Sequence, residues 1–176
     1  MTSKGAGGLV IRLVQPDEYQ MAGRLVLDAY RTLGDEGDAF YEAELQGIGG
    51  RIGESDVLVA ELEGQLVGCV TLVDGLKPLS EVEDPEAATI RMLGVASEAR
   101  GRGIGGALTR ECIDRARAAG RKRVRLDTRT SMAGAQRLYE RLGFERDLEH
   151  DWSPAPGIEL LAFTLELHPG ENSEAS

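Results

Sequence analysis

Long apolar runs are missing from this 176-residue chain. No stretch approaches the roughly 18 consecutive apolar residues of a membrane span. The amino terminus lacks the apolar core of a signal peptide, so the expected location is the cytoplasm. Histidine is scarce: His150 and His168, both near the carboxyl end, offer no zinc-ligand spacing, and no metal site is expected. Cysteine is equally scarce. Cys69 falls on a strand-like segment and Cys112 on a helix-like one, which reads as two buried thiols rather than a disulfide framework. Excess positive charge is absent as well. With 20 Lys and Arg against 30 Asp and Glu, the net charge of −10 counts against a nucleic-acid partner, which calls for a basic face. It is compatible with a cationic or amine substrate. No G-x-x-x-x-G-K-[ST] loop occurs, which excludes a nucleoside triphosphatase of that type.

What is present suits one core. A chain of this length buries roughly 70% of its unfolded surface in a single domain. Residues 1–8 and 169–176 are polar and rich in Gly, Ser and Glu and read as flexible ends, leaving one domain over 9–168. Leu9 to Val14 is strand-like, and Pro16-Asp17-Glu18 suits the first turn of a helix reaching about Tyr30. Residues 34–38 break it, and a second helical stretch reaches about Gln46. Val57 to Leu62 and Leu66 to Val73 flank Glu63-Gly64-Gln65 as a hairpin. After an acidic loop over 76–87 come a strand (Thr89 to Val95), a helix ended by Gly120, a strand (Val124 to Thr128), a helix around Leu138 and a last strand (Ile158 to Leu167). The helix before Gly120 places Ile104, Leu108, Cys112, Ile113, Ala116 and Ala119 on one half of its wheel. The order β-α-α-β-β-β-α-β-α-β-β predicts an α/β (α+β) fold, with a mixed, mostly antiparallel sheet of about seven strands and helices on both faces.

The most informative stretch is Arg100-Gly101-Arg102-Gly103-Ile104-Gly105-Gly106, set between a strand and a helix. Glycines there let backbone N–H groups approach a ligand, and the helix start has unpaired N–H groups and partial positive charge. Arg100 and Arg102 can add charge-assisted hydrogen bonds or remain solvated beside the site. This reads as a pyrophosphate cradle. Gly101, Gly103 and Gly106 also fit the dinucleotide pattern G-x-G-x-x-G, with Asp127 near its ribose-binding position. However, five residues (96–100) separate the strand from the first glycine, where a dinucleotide turn is tight.

Arg100, Gly103 and Gly105 also meet R/Q-x-x-G-x-G/A, and residues 135–144 (AQRLYERLGF) meet A-x-x-L-Y-x-[KR]-x-G-F. On these motifs the chain resembles the GNAT superfamily of acyl-CoA-dependent N-acyltransferases, chiefly over residues 88–146. The resemblance implies two central parallel strands splayed apart so that acetyl-CoA lies between them. It assigns backbone groups of Leu93, Gly94 and Val95 to the pantetheine arm, and Gly101 to Gly106, Ile104 included, to the pyrophosphate. It makes Tyr139 the general acid near the CoA sulfur; the residues alone equally describe a helix tyrosine packing beside Ala135, Leu138 and Leu142. A homodimer is the family-level expectation, and the partner substrate is a small-molecule or peptide amine.

The reaction implied is direct acyl transfer from a thioester to an amine, with no cysteine intermediate because no histidine is patterned near either thiol. The amine must be neutral to attack. Deprotonation at pH 7 costs about 4.6 kcal/mol for a lysine-like amine but only about 1 kcal/mol for an α-amine. Some family members carry a glutamate before the central apolar run, where this chain has Thr89, which cannot serve as a base. Asp127, twelve residues before Tyr139, is the candidate base, directly or through water; it also reads as a locally satisfied strand-end carboxylate. Glu83, Asp84 and Glu86 are candidate amine attractors or solvated loop charge. Met132 stands where the family often has Asn. Arg121, Lys122, Arg123 and Arg125 read as an exposed helix end or a phosphate contact. The acceptor is expected near residues 29–50 and 76–87. A catalytically silent CoA-binding module and a nicotinamide oxidoreductase are the alternatives.

Overall fold

A computed structural model describes residues 3–4, 8–33, 39–75 and 84–169. The readings of a helix break at 34–38, of an acidic loop over 76–83 and of chain ends at 1–2, 5–7 and 170–176 lie outside the described residues. So does Glu83.

Nine strands form one mixed sheet in the order β1-β2-β3-β4-β5-β6-β9-β7, with β8 also paired to β9. The strands are β1 (Ser3–Lys4), β2 (Leu9–Leu13), β3 (Ser55–Leu62), β4 (Gln65–Asp74), β5 (Ala87–Val95), β6 (Arg123–Arg129), β7 (Glu145–Arg146), β8 (Trp152–Ala155) and β9 (Ile158–Glu166). These include three short pieces, β1 and β7 of two residues and β8 of four, beside six longer strands, where the sequence order led to an expectation of about seven. Every pairing is antiparallel except β5 with β6.

Alternation along the strands builds two cores. Leu58, Ala60, Val70, Leu72 and Ile90 pack with Leu108, Cys112, Val124, Leu126 and Phe163 on the face covered by α4 (Ile104–Ala118) and α5 (Ala133–Arg141). Val57, Val59, Cys69 and Met92 pack with Ala22, Val26, Leu27, Leu45 and Ile48 on the face covered by α1 (Tyr19–Thr32), α2 (Ala39–Gln46) and α3 (Ile48–Arg51). The hydrophobic stripe expected on α4 is the buried one, though Ala119 falls just past its end. The helix stops at Gly120 (φ +74), where the Arg121 N–H bonds back to the Ala116 carbonyl. A single 3-10 turn, Pro16–Glu18, leads into α1. At Gly23 a Cβ would sit 2.3 Å from the Gln46 carbonyl oxygen, so glycine permits the close approach of α1 and α2.

α3 has no signal in the sequence. It carries the buried Arg51, whose guanidinium donates to the carbonyls of Glu44 and Leu45 at the end of α2. The basic cluster differs from both of its readings. Arg121 pairs with Asp74, Lys122 with Glu86, Arg123 with Asp84, Glu86 and Glu166, and Arg125 with Asp84 and Asp147. The cations lie at the start of β6, where the folded sheet brings in carboxylates far away in sequence. They close the sheet end instead of facing phosphate.

Candidate active site

The parallel pair β5–β6 is short. It runs from Ala87 opposite Arg123 to Ile90 opposite Leu126 and stops. From Met92 to Val95, β5 keeps β4 on one side and has no strand on the other. Between Cys69 and Thr71 β4 advances two residues while β5 advances three, from Gly94 to Arg91. The extra residue is a bulge, and Met92 sits in it with φ +55. A left-handed non-glycine residue costs about 1–2 kcal/mol. Burial of the Met92 side chain in the α1 core helps hold it there. The bulge turns β5 away from β6 and leaves a strip of backbone hydrogen-bonding groups facing the gap.

A cleft of about 410 Å³ occupies this gap. Its wall includes Leu93, Gly94, Val95, Arg100, Gly101, Gly103, Ile104, Gly105, Gly106, Asp127 and Tyr139. Of the residues expected from sequence to hold the cofactor or do the chemistry (93–95, 100–106, Asp127 and Tyr139), Arg102 alone falls outside the wall; it is exposed. Gly101 and Gly103 have φ of +75 and +77, and a Cβ on either would meet nothing within 4 Å. Gly103 is the N-cap of α4, so the first N–H groups of that helix open toward the cleft. Gly105 and Gly106 serve packing too, each facing Leu138 of α5 at about 3.5 Å. Gly94 lets α1 approach: a Cβ there would lie 3.2 Å from Val26 and Ala29. Arg100 uses one nitrogen on the Ala29 carbonyl at 3.3 Å.

Tyr139 is only 6% exposed and packs edge-on against Phe144 (5.8 Å) and tilted against Phe163 (6.1 Å). Its hydroxyl makes no hydrogen bond among the described residues. Burial pushes the phenol pKa up, so the group stays protonated. It packs and it faces the cleft. Asp127 lies on β6, and burial raises its pKa above the ordinary carboxylate value, against the opposing pull of a hydrogen bond from Trp152 and the charges of Arg125 and Arg91. The Trp152 indole nitrogen donates to Asp127 Oδ2 at 3.0 Å. No local pattern announces this contact, because the two residues are 25 apart and meet only through β9.

A side pocket of about 90 Å³ opens on the α1–α2 face and shares Tyr30, Ile90, Arg91, Met92, Asp127, Thr128 and Met132 with the cleft. Tyr41, Thr89, Arg129 and Leu160 complete its wall. Thr89 is buried there and offers no base. Arg91 lies 3.7 Å from Glu44. Asp84 and Glu86 are elsewhere: they precede β5 at the end opposite the gap, bound to the basic cluster. Met132 accepts a contact from the Thr128 hydroxyl at 3.7 Å, and Gln136 ties α5 to the Arg129 and Thr130 carbonyls. A larger cavity, about 500 Å³, is lined by Val14, Tyr19, Asp56, Asp74 and Arg115 and contains none of the cleft residues. Both cysteines are buried thiols outside the cleft wall, with the Cys69 pKa pushed up to about 12 by burial. Among the described residues no cluster of His, Cys, Asp and Glu could hold a metal ion, and no helix is long and apolar enough to cross a membrane.

Comparison with known proteins agrees with this geometry. Residues 19–144 match the model of the Acetyltransferase (GNAT) family. An uncharacterized N-acetyltransferase of Methanocaldococcus jannaschii is 38% identical over 92 residues, covering 52% of this chain and 40% of that protein. The chain spans under half the length of the curated relatives it matches. Among solved structures, the ribosomal-protein-alanine N-acetyltransferase of Brucella melitensis superposes with a TM-score of 0.69 at 25% identity, over 89% of this chain and 99% of that one. A Salmonella typhimurium protein solved with its cofactor acetyl-CoA has a TM-score of 0.66 at 19% identity, over 96% and 99% of the two chains.

Proposed function

Since the chain belongs to the GNAT family of acetyltransferases, we propose that it transfers the acetyl group of acetyl-CoA directly to an amine, in the cleft between β5 and β6. The observation that carries this reading is the early end of the β5–β6 pairing beside a glycine-rich helix start. Acetyl-CoA is the usual co-substrate of the family, and the donor set suits it. The N–H groups at the start of α4 and the glycines at 101 and 103 offer room and partial positive charge for a pyrophosphate. The strip from Met92 to Val95 offers backbone partners for an amide-bearing arm. Gly101, Gly103, Ile104, Gly105 and Gly106 would hold the phosphates, with Arg100 and Arg102 beside them, and Leu93, Gly94 and Val95 the arm.

Bound acetyl-CoA supplies the acetyl group and a thiolate that leaves. Asp127 accepts the proton released as the amine nitrogen forms its bond to the acetyl carbon and the carbon–sulfur bond breaks. Its raised pKa makes it a better base than an ordinary aspartate. It remains far weaker than a lysine amine, which suits an acceptor of modest basicity such as an α-amine. Tyr139 donates a hydrogen bond, and finally a proton, to the departing sulfur. Burial keeps the phenol protonated at neutral pH, which suits a hydrogen-bond donor but makes full proton transfer costlier than for an ordinary tyrosine.

The test is a panel of α-amino acids, peptides with free amino termini, a lysine peptide, a polyamine and an aminoglycoside, followed by release of the CoA thiol from acetyl-CoA. At least one amine should raise thiol release well above the rate without amine. Tight acetyl-CoA binding with no amine-dependent release across the panel would instead establish a CoA-binding module.

A further inference from the structure

Trp152 is the sole tryptophan of the chain, and it sits on β8, an edge strand outside every recognised motif. Its backbone partner across β8–β9 is Leu160, and Asp127 on β6 is the partner of Ala162 on the other edge of β9. Cross-strand partners share a face, and Leu160 and Ala162 are two apart and share one as well. Trp152 and Asp127 therefore lie on the same face on opposite sides of β9, joined diagonally across the small side chain of Ala162. The indole N–H bridges the span and meets Asp127 Oδ2 at 3.0 Å. The start of β8 is itself held: Asp151 accepts the Ala162 N–H at 2.8 Å and a hydrogen bond from Arg146 at 2.5 Å. Asp127 lines the side pocket, and its Oδ1 makes no hydrogen bond among the described residues, so one oxygen is tied and the other is unclaimed by a donor.

We propose that Trp152 is a positioning residue for Asp127, fixing one carboxylate oxygen so that the other is presented to the acceptor amine. The inference rests on the reading of Asp127 as the base. An indole N–H is a donor only and never titrates in this range, so it holds the carboxylate without competing for the proton. The other groups facing Asp127 are Arg125 and Arg129 on its own strand face, Arg91 from β5, Asp151 before β8, and Tyr30 and Tyr41 from α1 and α2 across the side pocket. A cation alone would stabilise the charge; a single directed donor also sets its orientation.

The bond can be read without an acceptor, because the donor is the only indole in the molecule. Tryptophan emission of the full chain, followed against pH while circular dichroism reports the fold, should show a transition with a midpoint above the ordinary aspartate value. Asp127→Asn should abolish it. A transition unchanged in Asp127→Asn, or none in the wild type, overturns the proposal. Transfer rates complete the test, using acetyl-CoA and the fastest amine of the panel. Trp152→Phe should slow transfer roughly tenfold, the equivalent of one hydrogen bond to a charged group, and move the acidic limb of its pH profile upward. In an Asp127→Asn background the same change should have no further effect, whereas a merely structural role would slow both backgrounds alike. Asp127→Asn as fast as wild type removes the base reading itself; a slow Asp127→Asn with unimpaired Trp152→Phe overturns only the positioning role.

Discussion

Two side chains proposed for the chemistry, Tyr139 and Asp127, line the gap. Burial raises both pKa values, which keeps the phenol protonated and makes the carboxylate more basic. Tyr139→Phe deletes one hydroxyl and keeps the ring between Phe144 and Phe163, so stability should hold. The chemical step should fall by about 10²-fold or more while the acetyl-CoA KM moves by less than about tenfold. Single-turnover transfer checks this, since slow product release could mask the loss in steady state. Asp127→Asn should lower the rate by roughly 10²–10⁴-fold with a lysine-like acceptor, and far less with a weakly basic one. Its effect on stability has the other sign. A carboxylate whose folded pKa is raised binds more protons folded than unfolded, so its contribution to stability falls as pH rises from the ordinary aspartate value through the raised one. Asp127→Asn should therefore match or exceed the wild type in urea midpoint at pH 7, and a clear loss of stability would mean that the carboxylate is a structural anchor.

At the scale of elements, the gap is made by a bulge on β5 and a glycine turn into α4, and it is opposed by a salt-bridge network at the far end of the same strands. Gly103→Asp places a carboxylate and a left-handed non-glycine residue at the N-cap of α4. Acetyl-CoA affinity, measured by calorimetry, should drop at least about tenfold, or about 1.4 kcal/mol, in a protein that still folds, because nothing lies within 4 Å of the new Cβ. The network predicts the converse. Burial alone would raise the Asp84 pKa, but the Glu86 N–H and the guanidinium groups of Arg123 and Arg125 hold it below the usual range. A lowered folded pKa gives stability that is present above the ordinary aspartate value and lost as pH falls through the folded one. Asp84→Asn should cost about 1–2 kcal/mol at neutral pH by urea unfolding and leave acetyl-CoA affinity unchanged. Weakened acetyl-CoA binding would show that the two ends of β5 are coupled.

For the whole molecule, what could be read from sequence was whatever is contiguous in it. The glycine turn at 100–106, the helix around Tyr139, the hairpin around Gly64 and the mixed, mostly antiparallel sheet are written in local spacing, and the elements stand within a few residues of where periodicity puts them. What escaped depends on residues that meet only after folding. The turn of Met92 into a left-handed conformation follows from the register of β5 on β4. The pairing of Arg123 and Arg125 with Asp84, the capping of α2 by Arg51 and the reach of Trp152 to Asp127 span 6 to 41 positions. Asp84 and Glu86 could be read as amine attractors or as solvated loop charge; in the fold they pair with the basic cluster at the end of β5 away from the gap. The side pocket beside Asp127 is the part least encoded, since its wall is shared by α1, α2, β5, β6 and β9.

The central claim is that the gap beside β5, and no other cavity, takes acetyl-CoA. Backbone amide exchange, resolved residue by residue by NMR with and without acetyl-CoA, tests it most directly. Protection should rise at amides within Met92–Val95, where β5 lacks a neighbour, and at Ile104, Gly105 and Gly106 at the start of α4. Protection confined to the walls of the larger cavity, around Val14, Asp56 and Arg115, would contradict it.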